Sequence, residues 1–219
     1  MKVETKGILF DMDGVLISSI GSVVRCWRRW CGMYNIPDGD TYEVPHGTRA
    51  IDIVRHLRPD LDEAGVMQGL RDIEDMEIID TADLKVLPGV RVLLNSLPPE
   101  RWSIVTSATR RLLFGRLAAA GLPLPARIIA GDDVVHGKPH PEPYITGAKL
   151  LGFEPADCIV FEDAPSGVGA GVAAGCRVLG VLGTHSASQL TACTWIVESL
   201  EGVKATVVEG GLELEFDAV

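Results

Sequence analysis

The 219-residue sequence has no cysteine motif, no long apolar run and no surplus of basic charge, and each absence removes a class of function. Its five cysteines, Cys26, Cys31, Cys158, Cys176 and Cys193, are odd in number and widely spaced, without a CxxC or a Cys/His ligand pattern. A disulfide framework is therefore not expected, and the thiols read as buried side chains in a reducing cytosol. The start, MKVETKGILFDMDG, meets charged Asp11 after only a few apolar residues, so neither a signal peptide nor a membrane span is expected and the location reads as cytoplasmic. Lys and Arg number 20 against 30 Asp and Glu, a formal net charge of −10. Nucleic acid and anionic membranes are thereby excluded as broad partners, because both need a net basic face. Repeats and low-complexity segments are also lacking.

What is present is a chain 47% hydrophobic and 23% charged, long enough for one large domain or a domain with a modest second module. Gly7–Phe10 is a short apolar run stopped by Asp11-Met12-Asp13-Gly14, which fits a buried strand. From Ile20 to Tyr34 the apolar residues recur at three- and four-residue spacing with arginines between them, the pattern of an amphipathic helix. Residues 50–57 and 62–79 continue in this way, so the stretch from about 17 to 87 reads as all-helical. After Pro88-Gly89 the pattern changes. β-rich runs at 102–106, 127–130, 158–161 and 177–181 alternate with helical stretches around 89–96, 109–120, 141–151 and 166–174. Such alternation predicts βαβ units and a parallel sheet covered on both faces. The tail, 204–208 and 212–216 around Glu209-Gly210-Gly211, reads as a hairpin whose edge is either free to pair with another chain or covered. The expected layout is an α/β core whose first strand is separated from the others by a helical insert. An insert placed there sits over the edge at which open α/β sheets bind ligands.

Four segments bring polar residues to that edge: Asp11-Met12-Asp13-Gly14, Thr106-Ser107, Gly137-Lys138-Pro139 and Glu162-Asp163. Asp11 and Asp13, with Gly14 allowing a sharp turn, can aim one carboxylate at an electrophile and keep the second as acid or base. Asp163, with Glu162 beside it, can supply oxygen ligands to a hard cation such as Mg2+. Lys138 can neutralise further negative charge, and the Thr106 hydroxyl can bind phosphoryl oxygens. Each segment alone is also an ordinary turn, helix cap or surface loop. Their joint occurrence, in one order and each at an expected strand terminus, is what points to chemistry.

In that order, FDMDGVL, VTSAT, GKPHPEPY and VFEDAPSGV resemble the four motifs of the haloacid dehalogenase superfamily, in the branch with a helical cap after the first strand. The stretches PHGTRAID and LPPERWSIVTSATR add a likeness to its glycerol-phosphate and 2-deoxyglucose-6-phosphate phosphatases. The resemblance implies a Rossmann-like parallel sheet core of residues 1–16 and 88–219, with residues 17–87 as the cap that sets substrate specificity. It implies hydrolysis of small sugar or polyol phosphates through an aspartyl-phosphate, with Asp11 as nucleophile and Asp13 as acid and then base. Mg2+ would be held by Asp11, the backbone carbonyl of Asp13 and Asp163, with Glu162 in or near its shell. Thr106, Ser107 and Lys138 would bind the transferring phosphoryl, and Gly47 and Arg49 of the cap would touch substrate. The partner is then a small phosphorylated metabolite, met by a monomer or homodimer.

Asp13 separates this reading from the superfamily's dehalogenases, which lack an acid two residues after the nucleophile. A phosphonate-cleaving member needs a cap lysine, and the insert offers only Lys85, at its exit. Two alternatives stand beside the main reading. One is a hexose-phosphate phosphomutase of the β-phosphoglucomutase type, which would carry His where this sequence has Val23; the other is a phosphoglycolate-type phosphatase. Within the insert, Arg49, Arg55 and Arg58 stand against Asp52, whereas residues 59–83 hold Arg71 against nine acidic residues. Arg49 is read as reaching over the phosphate, Arg55 and Arg58 as lying on a wet helix face. Trp27 is read as core and Trp30 as core or a sugar-stacking surface. His46 would orient the loop or the sugar, His140 belongs to loop structure, and His136 and His185 have no assigned role.

Overall fold

The computed structural model describes residues 1–219. Its centre is a six-stranded parallel sheet built from β2 (Gly7–Phe10), β5 (Trp102–Val105), β6 (Ile128–Ile129), β7 (Cys158–Glu162), β8 (Arg177–Val181) and β9 (Trp195–Val197). The order across the sheet is β6-β5-β2-β7-β8-β9. β2 therefore lies in the middle, at the point where the chain reverses its direction of travel across the sheet. A crevice opens at the carboxyl ends of the strands at such a point.

The strand sequences explain the burial. Every residue of β2, β5 and β7 is buried, as expected of runs without polar alternation in a sheet with two covered faces. Alternation sorts the side chains between the faces. Ile8, Phe10, Ile104, Ile159 and Phe161 join a 27-residue cluster with Val90, Leu93 and Leu94 of α4 (Val90–Ser96) and Leu113 and Leu117 of α5 (Arg110–Ala120). Leu9, Val105 and Val160 join a 13-residue cluster with Tyr144 and Ala148 of α6 (Glu142–Leu151) and Val168 and Ala170 of α7 (Pro165–Ala173). The core is thus three layers, helix on sheet on helix.

Between β2 and α4 lie α1 (Ile20–Met33), α2 (Ala50–Leu57) and α3 (Glu63–Ile79), which enclose a separate cluster of nine buried residues. Trp27 and Trp30 both belong to it. Trp30 donates its Nε1–H to the Gly69 carbonyl at 2.8 Å and stacks on Tyr34 with ring centroids 4.2 Å apart. Neither Arg55 nor Arg58 faces the core. Arg55 pairs with Glu63 and Arg58 with Asp60 on the outer surface.

The insert is not all-helical. Its entry β3 (Ile17–Ser18) and exit β4 (Lys85–Val86) pair antiparallel, Ile17 with Val86 and Ser18 with Lys85, and tie the two crossing chains into one ribbon. Two-residue strands carry no period from which a sequence could announce them. The tail hairpin forms from β10 (Lys204–Val208) and β11 (Gly211–Glu215), with β1 (Lys2–Thr5) paired on the other side of β11. β11 is therefore the central strand of a three-stranded sheet, covered on both edges. β1 and β9 are not announced by the sequence, because KVET and WIV are too short to carry a pattern. Four cysteines are buried and Cys193 is half-buried, all as free thiols. No helix is long and apolar enough to cross a membrane.

Because Trp30 is the largest wholly buried side chain of the insert, Trp30→Ala is expected to lower stability by about 3–5 kcal/mol. Chemical denaturation followed by Trp fluorescence and circular dichroism measures it; a loss under 1 kcal/mol would mean the insert's core does not depend on this residue.

Candidate active site

The register of the central strands sets the site. Phe10 is level with Ile104 on one side and Phe161 on the other, so the residues that follow β2, β5 and β7 leave the sheet together. These are Asp11, Thr106 and Asp163, the last preceded by Glu162 at the end of β7. Lys138 arrives from the loop before α6. Its Nζ lies 2.6 Å from Asp11 Oδ1 and 2.6 Å from Glu162 Oε1, with its side chain 1% exposed. Burial alone would lower the affinity of this ammonium for its proton, yet Asp11 and Glu162 hold it above its ordinary value.

The carboxylates respond in the opposite sense. Burial pushes Asp11 well above the usual range, with Lys138 pulling it back, and pushes Asp163 up to about 7, with Glu162 adding to the rise. Glycine at position 14 is required by this crowding. Gly14 has φ +87° and a Cβ there would lie 1.9 Å from Asp163 Oδ2. The oxygens of Asp11, Glu162 and Asp163 lie within 4.8 Å of one another, all buried, with one lysine among them. Three buried carboxylates facing one ammonium are short of positive charge, so the donor set fits a hard cation.

Glu162 is the exception within this set. Its Oε1 accepts from Lys138 and from the Tyr144 hydroxyl at 2.7 Å, and its Oε2 accepts the backbone N–H groups of Asp163 at 3.0 Å and Ala164 at 3.2 Å. With both oxygens engaged, Glu162 is a support for Lys138 and for the turn into α7 rather than a free metal ligand. Asp163 is held by the Thr184 hydroxyl, a partner that the sequence did not reveal.

Asp13 differs from Asp11. It lines the cleft and its side chain is 35% exposed, with Oδ1 accepting from Ser19 Oγ at 3.1 Å and Oδ2 accepting from Arg116 Nη1 at 2.7 Å. The cleft opens to solvent, and with the open space at its mouth included it spans about 730 Å³. Asp11, Asp13, Thr106, Ser107 and Arg116 line it from the core, and Val23, Trp27, Val44, His46, Gly47, Ile53 and Glu77 from the insert. Gly47 meets the core directly, its carbonyl accepting from Ser107 Oγ at 2.7 Å. His46 stands 6.1 Å from the His185 ring, whose Nδ1 lies 3.1 Å from the Asp163 carbonyl. His136 and His140 sit outside the cleft on Glu142, which also accepts the Val135 and His136 backbone N–H groups and so shapes the Lys138 loop.

Arg49 is placed elsewhere than the sequence suggested. It precedes α2, pairs with Asp52 three residues on, and donates Nη1 to the carbonyls of Val134 and Val135 at 3.1 Å each. It joins the insert to the core loop before Lys138 and is absent from the cleft wall. The guanidinium in the cleft is Arg116 of α5, which also donates Nη2 to Glu77 Oε2 of α3 at 3.0 Å. Burial pushes the Glu77 carboxyl up to about 7 despite that arginine. The acidic stretch of α3 thus finds its partners on the core: Glu74 and Asp75 meet Arg111, Glu74 also meets Thr109, and Glu77 meets Arg116. A signal for Arg116 was present. It occupies a place on the buried stripe of Leu112, Leu113 and Leu117 where an apolar residue would ordinarily stand.

Residues 5–175 match the family described as haloacid dehalogenase-like hydrolase. The chain belongs to that family. Hexitol phosphatase A of Escherichia coli (strain K12) is 36% identical over 211 residues, covering 95% of this chain and 98% of that protein. Glycerol-1-phosphate phosphohydrolase 2 of Saccharomyces cerevisiae is 31% identical over 231 residues, covering 100% of this chain and 90% of that protein. 2-Deoxyglucose-6-phosphate phosphatase 1 of the same yeast is 32% identical over 83% of this chain and 82% of its own. Among solved structures, a hydrolase from Pseudomonas syringae superposes with a TM-score of 0.77 at 22% identity, covering 90% of this chain and 94% of that one. A β-phosphoglucomutase from Clostridium difficile gives 0.75 at 20%, covering 91% and 93%. At such identities these two speak for the haloacid dehalogenase-like fold alone.

The raised Asp163 carboxyl carries a pH signature. Its value in the folded protein, about 7, exceeds the usual carboxylate value near 4, so its contribution to stability is complete at acid pH and is lost as pH rises through 7. A bound divalent cation favours the ionised form, so the rise in Tm on replacing EDTA by Mg2+ should grow between pH 5 and pH 8. A Tm difference independent of pH would contradict this account of the cluster.

Proposed function

We propose that this hydrolase is an Mg2+-dependent phosphomonoesterase of small sugar or polyol phosphates, working through an aspartyl-phosphate on Asp11. The observation that carries the reading is the pairing of two unlike carboxyl groups on one cleft: Asp11 buried against Lys138, Asp13 half-exposed two residues on. Two acids in such different surroundings suit a nucleophile and a proton donor.

Asp11 Oδ2 is the oxygen left for attack, since Oδ1 is engaged by Lys138. Its bond to phosphorus forms as the ester P–O bond breaks, and the proton on Asp13 passes to the departing alkoxide. Asp13 then takes a proton from water as that water attacks phosphorus, which restores Asp11 and releases phosphate. Thr106 and Lys138 hold the phosphoryl oxygens, and Ser107 fixes the Gly47 loop over them. Asp11, Asp163 and the Asp13 carbonyl would hold Mg2+, which supplies electrostatic stabilisation of the phosphoryl charge when bound.

Residues 17–87 act in this reading as the cap that selects the leaving group. Their contribution to the cleft is mostly apolar, with Ser19, His46, Thr48 and Glu77 as polar points, which suits a small hydroxylated alcohol held against a hydrophobic wall. The phosphatases named above support sugar or polyol phosphates as the substrate class. Val23 on the cleft wall weighs against a mutase, because an apolar side chain there cannot move protons on a sugar hydroxyl.

A phosphate-release panel of glycerol phosphates, hexose 6-phosphates, hexitol phosphates, deoxy-sugar phosphates, phosphoglycolate and nucleotides, with Mg2+ and with EDTA, tests the reading. Mg2+-dependent release is expected from polyol or sugar phosphates, and Asp11→Asn is expected to reduce it to background while circular dichroism stays unchanged. Full turnover by that variant would overturn the mechanism.

A further inference from the structure

Arg116 is a charged residue in the interior with two anionic partners from different parts of the chain. Its side chain is 6% exposed, and that of Glu77 is likewise 6% exposed. Burying a guanidinium and a carboxyl group sacrifices their hydration, and apolar pairs of similar volume are often as stable or more so. The network therefore calls for another reason to exist than stability. What it does geometrically is plain: the guanidinium fork, rigid and planar, spends one arm on Asp13 Oδ2 at 2.7 Å and the other on Glu77 Oε2 at 3.0 Å.

An aspartate side chain has two torsions and two equivalent oxygens. Asp13, at 35% exposure, has room to turn. Proton transfer to a leaving group depends on position, and a displacement of about 1 Å can cost on the order of 100-fold in rate. One oxygen of Asp13 is taken by Arg116. The other, Oδ1, has only the Ser19 hydroxyl at 3.1 Å, a long and easily exchanged contact on the cleft side.

We propose that Arg116 is a positioning residue for Asp13: it fixes the carboxyl by engaging Oδ2, leaves Oδ1 to exchange the proton with the leaving oxygen, and is itself held in place by Glu77 of the insert. This deepens the phosphatase reading and rests on it. It also gives the insert a part in the chemistry, since Glu77 reaches Arg116 only while α3 lies against α5. That contact is close: a Cβ at Gly115, next to Arg116, would stand 3.2 Å from Ile78, next to Glu77. Seating the insert completes the support of the acid.

The test uses leaving groups of different need. An alkyl phosphate loses a strongly basic alkoxide and needs a positioned acid, whereas p-nitrophenyl phosphate loses a weakly basic phenolate and needs little. Rapid-quench measurement of phosphoenzyme formation is made with p-nitrophenyl phosphate and with the best alkyl phosphate of the panel, for wild type, Arg116→Met, Arg116→Lys and Glu77→Gln. Wild-type turnover of both esters, lost in Asp11→Asn, establishes the underlying reading independently. Arg116→Met is expected to slow the alkyl ester about 100-fold, at the lower end of what a general acid contributes, and the nitrophenyl ester less than about threefold. Glu77→Gln, which keeps shape and removes charge, is expected to show the same split at smaller size, and Arg116→Lys a partial recovery. Equal losses on both esters in Arg116→Met and Glu77→Gln would overturn the proposal in favour of a purely structural pair. A rise in KM for hydroxylated substrates at unchanged kcat would overturn it in favour of direct substrate contact.

Discussion

Lys138 places one positive charge 2.6 Å from Asp11 and 2.6 Å from Glu162, at the point where the central parallel strands end. Without it two ionised carboxylates would share a buried space with Asp163, and the mutual repulsion would drive protons onto them. The surrounding sequence is organised to keep that ammonium in place. Tyr144 from α6 both donates to Glu162 and sets its ring 5.0 Å from the Lys138 nitrogen. Glu142, at the start of the same helix, holds the Lys138 loop through two backbone N–H groups. Gly167 admits Glu162 against the first turn of α7, where a Cβ would meet its carboxylate at 1.7 Å. Fold and site are coupled through this lysine, because the helices that cover one face of the sheet also carry the groups that surround it.

A second set of charges couples the insert to the core. α3 and α5 meet through Glu74, Asp75 and Glu77 on one side and Thr109, Arg111 and Arg116 on the other. The Arg111–Asp75 pair is exposed and contributes about 0–1 kcal/mol, whereas Glu74 is buried between Arg111 and Thr109. The inner pair is buried, and its value lies in direction rather than strength. The seam thus grades from an exposed pair at its rim to buried carboxyl groups of Glu74 and Glu77 within it. Arg49 works at the opposite corner, reaching from the start of α2 to the carbonyls of the loop before Lys138. The insert is thus held at two corners by arginines belonging to opposite sides, Arg49 from the insert and Arg116 from the core.

The parts legible in the sequence were those that obey a local rule. Buried parallel strands are short apolar runs, so β2, β5, β7 and β8 stood out, and the residue types after them suggested a site. Asp11, Asp13, Thr106, Ser107 and Gly47 line one cleft, with Lys138 beside Asp11, because strand ends are brought together by topology that the alternation of strands and helices already implies. The contacts of Arg49 are not legible, because charge patterning says which segment is basic but not which way a side chain leaves a helix start. The pairing of Arg116 with Glu77 is hidden for the converse reason. Arg116 falls on the buried stripe of α5, but Glu77 looks like an ordinary charged residue of an amphipathic helix, and only packing α3 on α5 shows that the two meet.

The charge balance of the chain takes a local form that the net value conceals. Around the cleft the carboxyl groups of Asp11, Asp13, Glu77, Glu162 and Asp163 outnumber the cations Lys138 and Arg116, and burial holds Asp11, Glu77 and Asp163 above the usual carboxylate range, so the site is short of positive charge. A phosphate monoester would be repelled by such a site if nothing were added, and the positive charges present are already engaged by carboxylates. In the proposed reading the attraction would be supplied by a cation at Asp11 and Asp163, since Lys138 is already bonded to Asp11 and Glu162. The same surplus explains why a single arginine at position 116 is placed between two acids rather than one. It stands between Asp13 and Glu77 across the seam and so offsets the repulsion between their carboxyl groups where the insert meets the core.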